Sequence, residues 1–209
     1  MTATDRTLYW TRIALWLVGA TMIYNAIEAA IALWSGLAAQ SIALVGFGLD
    51  SIIEVAAATV LLWRLRVEAR GADAESVKAA EHRVHRFVGT TFFLLAAYVV
   101  AVSLSTLFGG RMPAESIVGI VLAAASLVVM PAIAWGKLRA ADGLKSASLC
   151  SEAKETLACS YLSLTLLFGL AVNALFGWGW ADPIAALLMI PWLVKEGIEG
   201  IRAEGDAAE

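Results

Sequence analysis

Charge is scarce in this chain: Asp, Glu, Lys and Arg make up 16% of its 209 residues, and 60% are apolar. An ordinary soluble domain is roughly 45–50% apolar and about one quarter charged, so a mean hydropathy of +0.78 points to lipid as the solvent. Cysteine is limited to Cys150 and Cys159. Nine residues apart, they fall on opposite faces of a helix, which excludes a bridge within it. Free thiols fit a reducing cytoplasmic side. Histidine is limited to His82 and His85 in a polar connection. That leaves none beside the intramembrane polar residues and no recognisable nucleophile motif, so an intramembrane enzyme ranks third among the function classes. The net charge of −3 says nothing about partners, and no nucleic acid is expected.

Long apolar runs are what the chain has in quantity. A spanning helix needs about 20 predominantly apolar residues. Six such stretches are marked at 8–34, 40–66, 85–108, 115–136, 145–175 and 182–200. They predict an all-α membrane protein, a single transmembrane domain over 1–209 with no room for a soluble domain. The first stretch carries Asn25 and Glu28 and lacks a small-residue cleavage site, so it reads as a retained span. Pro131, Pro183 and Pro191 mark kinks or starts in stretches four and six.

Basic residues set the expected orientation. Arg64, Arg66, Arg70, Lys78, Arg83 and Arg86 fall between stretches two and three, and Lys137, Arg139 and Lys145 between four and five; the opposite side has Arg111. Both termini are therefore expected in the cytoplasm. Trp10, Trp34, Trp63, Trp135, Trp178 and Trp180 lie near span ends, where amphipathic rings prefer to sit. The expected location is a bacterial inner membrane. The connection 67–85 is charged and Ala-rich, suiting an extension of the flanking helices.

Asp50 and Glu54 sit one helical turn apart inside an otherwise apolar span. A carboxylate at that depth costs a few kcal/mol even on lenient insertion scales, so the pair is by default a functional site for a cation or proton. A second cluster lies in stretch five, where Glu152, Glu155 and Cys159 follow at spacings of three and four and share one helix stripe. Counted ten residues in from opposite faces, Asp50 and Glu155 both come to about 15 Å depth, half of a hydrocarbon core of about 30 Å. Oxygen and thiolate ligands meeting there would suit a small tetrahedral divalent metal. The plainer alternative is hydrogen-bonding glue between helices, and Cys159 is equally well a buried apolar filler.

The segment SIALVGFGLDSIIE at 41–54, six spans, cytoplasmic termini and a second polar quartet in stretch five together resemble the cation diffusion facilitator (cation efflux) transporters along nearly the whole chain. In that family an S-x-A-L segment leads to a metal-binding pair four residues apart, usually Asp or His followed by Asp; the matching positions are Asp50 and Glu54. Helix five of the family typically reads A-D-x-x-H-x-x-x-D, matched by Ser151, Glu152, Glu155 and Cys159. GWGWADP at 177–183 resembles the family's approach to helix six. Two departures stand out: the matching site has no histidine, and the resemblance stops short of the family's cytoplasmic C-terminal domain. The chain is thus similar to a short branch such as the transmembrane-protein-163-like transporters, and a homodimer would be held by membrane helices.

The resemblance implies export of a divalent metal from the cytoplasm. Ligands must lose protons to bind metal, so exchange against protons by alternating access is the expected mechanism. Carboxylates with a thiolate favour zinc first, with cadmium, iron or manganese behind it. A membrane sensor or scaffold that binds metal without moving it is the alternative. Asn25 and Glu28, nearer the outer end of stretch one, are candidates for packing or gating. Glu81, His82 and His85 are candidate metal collectors at the cytoplasmic entrance, with a solvated charged face as the competing reading. Lys154, beside the site, is expected to snorkel toward the cytoplasm or to face another helix.

Overall fold

The computed structural model describes residues 3–69, 74–110, 113–144 and 146–202. It is a bundle of α1 (Ala3–Ala39), α2 (Ile42–Ala69), α3 (Ala74–Gly109), α4 (Ile117–Leu144), α5 (Ala147–Phe176) and α6 (Ala181–Arg202), with no strand among the described residues. The expected all-α membrane fold is what forms. Helices satisfy every backbone group internally, which lipid demands.

Among the described residues five helices, α1 to α5, are long and apolar enough to cross a membrane. The sixth has 22 residues, about 33 Å at 1.5 Å per residue, which also matches the hydrocarbon thickness. Its composition is less apolar because Asp182 opens it and Lys195, Glu196, Glu199 and Arg202 fall in its last two turns. The helices run longer than the marked stretches. With 37 residues, α1 is about 55 Å long and projects beyond a bilayer. The polar connection is largely absorbed into α2 and α3, as its composition suggests.

Neighbouring pairs close a ring in the order α1, α4, α5, α6, α3, α2, and α2 also reaches across to α5 and α6. Two apolar clusters fill the interior. One gathers Phe47, Val99, Leu162, Leu166 and Met189; the other gathers Ala14, Val18, Ala58, Ala140 and Leu149. On α2 the residues between them are 48–57, and on α1 they include Asn25 and Glu28. The polar side chains therefore form a layer between two apolar clusters. Helix α5 approaches α6 closely at Gly169, where an added Cβ would collide with Ala185 and stand 3.1 Å from Ala181 O.

The α1–α2 turn places the second helix. Gln40 takes a left-handed φ of 53°, which reverses the chain at once, and Ser41 N–H bonds back to Gly36 O at 2.9 Å. Ser41 then caps α2, its Oγ accepting from Leu44 N at 3.1 Å. Asp182 of α6 reaches the same helix start: it accepts from the Ser41 hydroxyl and from Ile42 N at 2.8 Å. A carboxylate suits the positive end of a helix dipole, so the S-x-A-L and GWGWADP segments meet across the bundle. At the other α5–α6 junction Gly177, at φ 68°, closes α5, and Trp178 stacks on Trp180 with ring centroids 5.2 Å apart.

Candidate metal centre

Helix α2 carries Asp50 and Glu54 on one face, and α5 brings Cys159 against them. One ligand atom from each of these three residues lies within 4.8 Å of the others. Asp50 is 2% exposed and Cys159 1%. Cys159 donates its S–H to Glu54 Oε1, while Asn25 Nδ2 donates to Glu54 Oε2 at 2.5 Å. Both oxygens of Glu54 are thus aimed by neighbours from two different helices. Two carboxylates and a thiol can together offer oxygen and sulfur to one ion, a borderline-soft donor set.

The helix-five residues divide. Cys159 reaches the α2 pair, whereas Glu155 lies one turn, about 6 Å, nearer the α5 N-terminus and outside the group of three. The depth count assumed spans of about 20 residues, but α2 and α5 have 28 and 30. Positions ten in from opposite ends of longer helices do not share a height. Glu155 is exposed, yet it remains an electrostatic neighbour of Asp50. Glu152 is held elsewhere, 3.0 Å from the ammonium of Lys137.

Lys137 is a surprise. By sequence it belonged to a basic connection, but α4 continues to Leu144 and buries it completely, at 0% exposure. Its Nζ donates to Glu152 Oε1 and to Thr156 Oγ1, each at 3.0 Å. Lys154, by contrast, is exposed. The buried lysine thus neutralises Glu152 on α5 and leaves Asp50 and Glu54 to other partners.

Asn25 and Glu28 lie deeper than their sequence position suggested. Both pack at the level of the α2 pair: Asn25 bonds Glu54, and Glu28 Oε2 accepts from Ser51 Oγ at 3.0 Å. The marked stretch ended at 34, whereas α1 runs on to Ala39 and so leaves more helix between these residues and its outer end. Glu196 of α6 was missed altogether. It is an electrostatic neighbour of both Asp50 and Glu155, and its sequence signal was a carboxylate just after the Pro191-containing apolar run. The side chains of Glu81, His82, His85 and Ser151 lie outside the described residues.

The model of the cation efflux transmembrane domain matches residues 18–205. A curated protein of Synechocystis sp., described as an uncharacterized transporter, is 27% identical over 150 residues, covering 70% of this chain and 48% of that protein. The chain thus spans about half the length of this relative. With a match that takes in all six helices and the buried group of Asp50, Glu54 and Cys159, the chain belongs to the cation efflux family of membrane transporters.

Proposed function

We propose that this cation transporter carries a divalent transition metal, zinc first, out of the cytoplasm in exchange for protons, with Asp50, Glu54 and Cys159 as ligands. The observation that carries the proposal is the convergence of these three side chains from two helices in a polar layer between two apolar clusters. A thiol beside two carboxylates favours zinc or cadmium over magnesium or calcium. Thiolate and carboxylate bind metal only after losing protons, so proton exchange follows from the ligand chemistry.

In this reading Glu155 and Glu196, electrostatic neighbours of Asp50, draw cations toward the ligands. Glu152 takes no part in ligation while it is paired with Lys137. Asn25 orients Glu54. Rocking of the helices that carry the ligands alternates access, and the protein works as a homodimer through its membrane helices in a bacterial inner membrane. Its membrane portion is one domain.

The test is metal uptake into proteoliposomes loaded with a pH-sensitive dye, comparing zinc, cadmium, manganese and ferrous iron for wild type and Asp50→Asn. Metal flux with opposed proton flux, lost in the variant, is the expected result. Folded protein that binds zinc but passes none of the four metals would overturn transport in favour of a sensor or scaffold.

A further inference from the structure

Glu28 is 1% exposed, and its carboxylate is surrounded by the hydroxyls of Ser126 on α4, Ser51 on α2 and Tyr24 one turn back on α1. Glu28 is an electrostatic neighbour of Asp50, Glu54 and Cys159 but lies outside their converging group. Its hydrogen bonding does not close. Ser126 and Tyr24 stand near enough to interact with the carboxylate, yet Glu28 Oε1, Ser126 Oγ and Tyr24 Oη are all buried with no hydrogen bond within 3.5 Å, and Ser126 is 0% exposed. Ser51 has a single proton for two acceptors, Glu28 Oε2 at 3.0 Å and Phe47 O at 3.1 Å. When that proton goes to the helix carbonyl, as Ser commonly does within a helix, the Ser51 and Glu28 oxygens face each other with nothing between them.

Buried polar atoms left unsatisfied cost about 1–3 kcal/mol each, and an unpaired carboxylate inside a membrane costs more. Among the described residues no basic side chain stands beside Glu28, since the buried Lys137 is spent on Glu152 and Thr156. The donors are all oxygen, with one negative charge and no sulfur or nitrogen. Such a set selects a hard cation. One carboxylate balances one positive charge.

We propose that Glu28, Tyr24, Ser51 and Ser126 form a second cation site that takes a hard monovalent ion of the sodium class, beside the transition-metal ligands and distinct from them. The site joins α1, α2 and α4, and so ties the helix that carries Asp50 and Glu54 to the α1–α4 side of the ring. An ion there links the two halves of the polar layer through Ser51, the residue next to Asp50.

The assignment stands apart from the metal reading, and its test requires neither transport nor transition metal. Equilibrium binding of radioactive sodium is measured on purified protein in nanodiscs with a transition-metal chelator present. Saturable binding of one ion per chain is expected, lost in Glu28→Gln and retained in Asp50→Asn. Ser126→Ala, a smaller change that keeps the fold if Glu28→Gln does not, should weaken it by roughly tenfold or more, no less than the loss of an outer-contact partner. Absence of saturable sodium binding in the wild type overturns the proposal, leaving a protonated carboxyl or a buried water at Glu28. Sodium binding that vanishes in Asp50→Asn but survives Ser126→Ala also overturns it, because the ion then sits among the transition-metal ligands.

Discussion

Asn25 of α1 donates to Glu54 of α2 at 2.5 Å, while the opposite oxygen of the same carboxylate takes the thiol proton of Cys159 from α5. One glutamate thereby joins three helices, and its orientation depends on an amide that is not itself in the group of candidate ligands. Partners of this kind typically carry much of a metal site's affinity by holding a ligand in place.

Replacing Asn25 with Ala should therefore weaken zinc binding by roughly 10-fold to 100-fold while leaving the protein folded. Isothermal calorimetry on the purified protein reads it directly. An unchanged dissociation constant would reduce Asn25 to helix packing.

Cys159→Ser keeps the size of the side chain and replaces a soft donor with a hard one. Cadmium should lose more affinity than manganese, since soft metals gain most from thiolate. Competition between the two ions measures the change. A constant ratio would make the thiol a filler of the α2–α5 interface.

Lys137→Met leaves Glu152 as a buried carboxylate without its cation, and breaking a buried pair from one side typically costs about 3–5 kcal/mol. The double variant Lys137→Met, Glu152→Gln should recover most of that loss. Thermal unfolding in detergent compares them. If the single variant melts no lower than the double, the pair contributes no stability.

Glu155 lies outside the group of three yet neighbours Asp50, so its charge should act on arrival more than on retention. Glu155→Gln should slow the initial rate of metal uptake at low salt, with an effect that shrinks as salt is raised, and change equilibrium affinity little. A loss of affinity as large as that of Asp50→Asn would return Glu155 to the ligand set.

Metal binding should release protons, because thiol and carboxylic acid must ionise to bind. The sign is fixed: acid competes with metal, so apparent affinity falls as pH falls, by about tenfold per pH unit for each proton displaced. Calorimetry in buffers of different ionisation enthalpy counts the protons. A binding enthalpy that does not vary with buffer would show the ligands to be already ionised.

Much of the fold was legible because it rests on local quantities. The apolar runs near Ala14, Leu44, Val99, Ala123, Leu166 and Met189 each locate a helix without reference to any other, since lipid allows little else. Asp50 and Glu54 stand out for the same reason: charge inside such a run is costly wherever the helix packs. Their spacing puts them on one face by helix geometry.

Partner choice was not legible. Residue counts could not tell which of Glu152, Glu155 and Cys159 faces the α2 pair, because that depends on the relative height and rotation of two helices far apart in sequence. Glu155 looked level with Asp50 only while both spans were taken as equally short. Glu196 was hidden for a similar reason, since nothing local marks which neighbour its helix face will meet.

Composition and periodicity by themselves determined a helical membrane protein with an acidic pair in its second span, because burial in lipid acts on each segment separately. Only the tertiary structure decided that Cys159 joins that pair, that Lys137 turns inward to claim Glu152, and that Glu28 is left among oxygens alone. Those outcomes are set by helix register and close approach, and a linear sequence does not express either until the helices pack.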